Sequence, residues 1–131
     1  MVDMGDSEKI TINLGLVDLG QIDLLVQQGF YANRTDFIRT AIRTALAAHG
    51  ETVKQTVARK RMVLGLEHYT RRDLEEVRMS GHKLQIQVVG LASIADDVPP
   101  ELALETIDSI EVLGAFRASP EVRTALARRL R

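Results

Sequence analysis

The chain has no cysteine and no tryptophan, and only 4% of its 131 residues are aromatic. Without thiols it can build no disulfide, thiolate metal site or cysteine nucleophile, a pattern that fits a reducing cytoplasm. A large charge of either sign is missing too: 17 basic residues face 18 acidic ones, for a net charge of −1. No overall field therefore draws a polyanion to the protein. No apolar run approaches the ~18 residues of a membrane span. The opening MVDMGDSEK is acidic and polar, with no hydrophobic targeting core. A phosphate-cradling glycine loop is absent, and His49, His68 and His82 each stand alone in sequence, so no metal site is expected. Asp96 and Asp97 adjoin each other before Pro99-Pro100, a placement that suits helix capping rather than acid-base catalysis. The sequence thus predicts no catalytic residues, no cofactor and a soluble, cytoplasmic chain.

What is present is globular in composition, with 45% hydrophobic and 27% charged residues, enough for one ordinary domain or two small ones. The most informative stretch is Glu8 to Leu46. It opens with strict alternation: Ile10, Ile12 and Leu14 fall on one side of a short strand, Lys9, Thr11 and Asn13 on the other. Helical periodicity follows, so this strand has no partner nearby in its own chain, and an unpaired strand leaves its backbone groups unsatisfied. A second copy of the chain is the simplest partner. Two such strands would form an antiparallel ribbon showing the polar trio twice, a shape that fits the DNA major groove, where lysine, threonine and asparagine suit base edges.

Next, Asp18 is predicted to cap a helix from Leu19 to about Gln28, with Leu19, Ile22, Leu25 and Val26 on one face and Gly29 ending it. Asn33 then precedes Arg34, Thr35 and Asp36 in a pattern like a capping box. Phe37, Ile38, Ala41, Ile42, Ala45 and Leu46 continue at helical spacing to about Ala48. The spacing of Asp36, Arg39 and Arg43 predicts a structural set of ion pairs along this helix.

Strand, helix, turn and helix, with the run Asn33-Arg34-Thr35-Asp36-Phe37-Ile38-Arg39 opening the second helix, resemble the ribbon-helix-helix repressors of the CopG, Arc and MetJ group. The resemblance covers roughly Glu8 to Ala48. It implies a homodimer that binds double-stranded DNA, with base reading by Lys9, Thr11 and Asn13. It also implies a phosphate held by Asn33, Arg34 and Thr35 at the start of the second helix. Helix N-termini are ready anion sites, so the chemistry agrees. The group includes nickel sensors that use histidine and cysteine ligands, but this chain has no cysteine, and none of its histidines follows His82.

Residues 49–61 read as a connecting helix, with the basic cluster Arg59-Lys60-Arg61 at its end as a candidate contact to the DNA backbone. Residues 1–50 carry four basic and six acidic residues. DNA binding would therefore depend on a few placed groups, doubled by dimerisation and helped by several dimers lying side by side.

From Met62 a repeat emerges. Val63-Leu64-Gly65-Leu66, Val88-Val89-Gly90-Leu91 and Val112-Leu113-Gly114-Ala115 recur at steps of 25 and 24 residues, which signals a stacked architecture. Each unit reads as a strand and a helix. Thr70 and Asp73 cap a helix closed by Gly81, Pro99-Pro100 open one to about Thr106, and Ser119 caps one from Pro120 to Leu130. Parallel strands with right-handed crossovers follow, as three rungs of an αβ-solenoid similar to leucine-rich repeats.

The expected fold is α+β: a ribbon-helix-helix domain at 8–48 with a swapped two-stranded ribbon, a connecting helix at 49–61, and an α/β repeat of three strand-helix units at 62–131. The expected function is a nucleoid-associated transcriptional regulator, a homodimer that the C-terminal half assembles into tetramers or longer arrays, or through which it senses a ligand. Two other readings are an antitoxin with a toxin partner and a DNA-anchored, self-assembling structural protein.

Overall fold

The computed structural model describes residues 7–131 and contains six α-helices and one three-stranded sheet among them, a mixed α+β chain. Its described residues divide into two compact units, Ser7–Thr56 and Val57–Arg131.

The first unit holds helices α1 (Leu16–Gln27) and α2 (Arg34–Ala48) and most of α3 (Gly50–Arg59). α1 starts three residues before the expected Leu19. Gly15 is its N-cap in extended conformation, so Asp18 is no cap and lies in the first turn, where a carboxylate is favoured by the helix dipole. Its end follows the sequence expectation. Gly29, at φ 88°, donates to the Val26 carbonyl, and Phe30 donates to the Leu25 carbonyl, both at 3.0 Å. That is a Schellman closure, which needs a residue comfortable at positive φ. Tyr31 then meets Phe37 edge to face, with ring centroids 4.9 Å apart, and so braces the turn into α2.

The second unit runs β1 (Val63–Tyr69), α4 (Arg71–Ser80), β2 (Leu84–Ile94), α5 (Pro100–Thr106), β3 (Ile107–Arg117) and α6 (Pro120–Ala125). Thr70 and Asp73 form a reciprocal capping box on α4, and Gly81 closes it in left-handed conformation. The last helix is shorter than expected. After Leu126 the chain tightens into a 3-10 turn, Ala127–Arg129, which lays Leu130 beside Ile110 and lets the Arg131 N–H bond the Ile110 carbonyl. Arg129 fixes this tail by donating to the Ile107 carbonyl at 2.7 Å.

The three strands are parallel and stand in chain order, β1-β2-β3. Their register places Val63, Val88 and Val112 in one row and Gly65, Gly90 and Gly114 two residues on. Two crossovers in one direction put the helices on one face of the sheet. There, Ile86, Val88, Ala92, Ile94, Ile107 and Ile110 pack with Leu74, Leu102, Ala103, Val122 and Leu126 in a core. Thr106, buried with them, gives its hydroxyl proton to the Leu102 carbonyl at 2.7 Å.

Candidate nucleic-acid interface

Lys9, Thr11 and Asn13 lie in the segment before α1, all three exposed. Among the described residues, none from Glu8 to Leu14 makes a backbone–backbone hydrogen bond. Both sides of the alternation are open, since Ile10 is 75% and Ile12 61% exposed.

The start of α2 is built more elaborately. The Asn33 side chain accepts from the Asp36 N–H at 2.8 Å. The Asp36 carboxylate in turn accepts from the Ala32 N–H at 2.9 Å, one residue before the cap. Asp36 is thereby committed to the backbone, and the expected ion pairs with Arg39 and Arg43 do not form among the described residues. The N–H groups of Arg34 and Thr35, the first two of the helix, have no acceptor there. They point outward where the helix dipole is positive, the arrangement that holds an anionic oxygen.

Arg34 is not idle beside them. Its Nε donates to Asp23 Oδ1 at 2.7 Å and a terminal nitrogen donates to Oδ2 at 2.8 Å, a two-pronged pair joining α2 to α1. The hydrogen bond from Arg34 holds the Asp23 carboxyl below its usual range, and the same bond raises Arg34. Asp23 escaped the sequence reading because its partner lies eleven residues away across a turn. It brings a negative charge within reach of the candidate phosphate site.

In the second unit, Arg59, Lys60 and Arg61 are exposed at the end of α3. Arg61 adopts φ 55°, a left-handed conformation that costs a side-chain-bearing residue ~1–2 kcal/mol. Its N–H bonds the Ala58 carbonyl and that of Met62 bonds the Val57 carbonyl. The helix is therefore closed as α1 is, with arginine in the glycine position. Among the described residues no group of three or more His, Asp or Glu comes together. No helix there is long and apolar enough to cross a membrane.

A two-helix module with a donor-rich second N-terminus, preceded by a segment of alternating apolar and polar residues, describes a class of small DNA-binding proteins. The sequence model of the ribbon-helix-helix transcriptional regulator family matches residues 5–123, nearly the whole chain, and the chain belongs to that family. Membership points to a DNA-binding, non-enzymatic regulator. No curated protein and no solved structure matches the chain.

Proposed function

We propose that the protein is a sequence-specific transcriptional regulator that pairs as a homodimer through residues 8–14 and inserts the resulting antiparallel ribbon into the major groove of operator DNA. Lys9, Thr11 and Asn13 read base edges. The open N–H groups of Arg34 and Thr35, positioned by the Asn33 cap, hold a phosphate, and Arg59, Lys60 and Arg61 touch the backbone. Residues 62–131 act as three stacked strand-helix rungs that assemble dimers on DNA or sense a ligand.

One observation carries the dimer. Among the described residues of Ser7–Thr56, Ile22, at 7% exposure, is the only buried hydrophobic side chain, while Ile10, Ile12, Leu14, Leu16, Val17, Leu24, Phe30, Ile42 and Leu46 are exposed. Burying a side chain of this size stabilises by ~1.5–3 kcal/mol, so the unit forgoes on the order of 10 kcal/mol while alone. Pairing the ribbon supplies backbone partners and cover together. The compact core after Met62 supports a regulator over an antitoxin, whose toxin-binding tail is commonly disordered until bound.

The test replaces Lys9 and Asn13 with alanine in the full chain and measures selection among random operators. Discrimination should fall by ~1–3 kcal/mol per lost bidentate contact while the dimer mass persists. Unchanged sequence preference, or a monomeric wild-type chain, refutes the reading.

A further inference from the structure

The second unit is electrically polarised along its strands. Because β1, β2 and β3 are parallel, all three begin at one edge, and the helices that follow them run back toward it. That edge consists of residues 57–62, 78–85, 104–109 and 126–129, and it carries seven lysines and arginines against two acids. The remainder of Val57–Arg131 carries five against nine. A chain whose net charge is only −1 thus gathers positive charge on one border.

Two contacts draw these segments together. Arg129 donates to the Leu104 carbonyl and, at 2.7 Å, to that of Ile107, which stands beside Leu84 in the register. The Arg78 guanidinium reaches Glu105 at 3.5 Å and ties the end of α4 to the end of α5. That pair cancels its own charge, whereas the carbonyl partners of Arg129 are neutral and leave its charge unbalanced. Arg59, Lys60, Arg61, Lys83 and Arg128 are exposed and, among the described residues, meet no carboxylate. A cation at a helix C-terminus also complements the dipole, but one per helix serves that purpose, and Arg59, Lys60 and Arg61 crowd three onto a single end.

We propose that this edge lies on the phosphate backbone of duplex DNA, which makes the C-terminal unit itself a DNA contact running from Arg59-Lys60-Arg61 through Lys83 to Arg128. The three strands span about 10 Å there, a distance over which one DNA strand presents about three phosphates. Such contacts carry no sequence information and add affinity to whatever base reading the ribbon supplies. The inference rests on the DNA-binding reading and goes beyond it by assigning Lys83 and Arg128.

The test titrates the full chain against a fluorescent duplex of mixed sequence at several salt concentrations. Lys83→Gln combined with Arg128→Gln should flatten the slope of log affinity against log salt by up to ~1.8 per protomer, with the thermal midpoint unchanged. Arg71→Gln combined with Arg72→Gln removes the same charge from the start of α4, at the opposite edge, and should leave the slope as it is. Asp108→Asn, which removes the edge's second acid, should tighten binding. Wild-type binding with an unchanged slope in the first variant overturns this inference alone, and a lowered thermal midpoint beside that unchanged slope assigns the two cations to the helix ends instead. An equal loss in the two double variants overturns it as well, because net charge then explains both. Failure of the wild-type chain to bind the duplex at any salt concentration overturns the DNA-binding reading too.

Discussion

Alanine at Gly90 should destroy the C-terminal unit, whereas alanine at Gly65 should merely weaken it. The three stacked glycines have φ 141°, 138° and 121°, a backbone region that glycine occupies almost alone. A Cβ at Gly90 would lie 2.1 Å from the Gly65 carbonyl oxygen, and one at Gly114 would lie 2.1 Å from the Gly90 oxygen. Carbon and oxygen need about 1 Å more than that, and the obstacle is backbone hydrogen-bonded into a ladder with strands ~4.8 Å apart. At Gly65, the first strand of the stack, a Cβ has nothing within 4 Å. Gly65→Ala therefore pays only for its dihedral angle, ~1–3 kcal/mol. Gly90→Ala and Gly114→Ala add ~1–3 kcal/mol or more of overpacking that cannot relax through a side chain.

A unit of this size has a total stability of only ~4–11 kcal/mol. The second pair of variants should lose most or all of it, and the first should retain a cooperative transition with its midpoint lowered. Urea titration of the full chain followed by circular dichroism separates these outcomes, with each 1 kcal/mol also shifting the thermal midpoint by ~4–8 °C. Equal losses at all three positions would refute the reasoning, because dihedral strain alone would then account for them.

Asp23→Asn should strengthen DNA binding by releasing Arg34 from its carboxylate partner. The slope of log affinity against log salt should steepen by up to ~0.9 per protomer, and an unchanged slope would remove Arg34 from the phosphate site. Arg61→Gly should stabilise the second unit by ~0.5–1 kcal/mol in urea titrations, since glycine accepts φ 55° without strain. If Arg61 also touches the backbone, the same variant loses affinity at low salt. Asp23 and Asp73 both have depressed pKa values, the first through its bond from Arg34 and the second through bonds from the Thr70 backbone and hydroxyl. Folding thus binds fewer protons than unfolding. Their contribution is complete above the ordinary carboxylate value of 3.8 and is lost as pH falls through the lower folded values. Asp23→Asn combined with Asp73→Asn should flatten the acid limb of a stability-against-pH curve.

Features whose physics is local could be read directly from the chain. Gly29 and Gly81 close their helices because positive φ is needed one residue past the cap, and the Thr70–Asp73 box is complete within four residues. Asn33 likewise caps α2 through its near neighbour Asp36. The Val-x-Gly recurrence coincides with the observed register, and at Gly90 and Gly114 the neighbouring backbone approaches too closely for any Cβ. What escaped depends on residues far apart or on an unusual residue in a familiar role. The Asp23–Arg34 pair spans two helices, Gly15 supplies an N-cap without a side chain, and Arg61 fills a position where glycine would announce a stop.

The Asp23–Arg34 pair also bears on how such a module can bind DNA while carrying more acid than base. An exposed pair contributes little to stability, so its value lies elsewhere. It holds the guanidinium at the mouth of α2 in a fixed orientation and offsets its charge, which in the proposed complex a phosphate would compete for. Phosphate and Asp23 present similar two-pronged acceptors to one planar donor, so exchange between them costs little in geometry. In the proposed complex, affinity for any single stretch of DNA then stays low, and occupancy depends on the base edges offered to Lys9, Thr11 and Asn13. On the proposed reading, a regulator organised in this way gains selectivity from several weak, simultaneous contacts rather than from its overall charge.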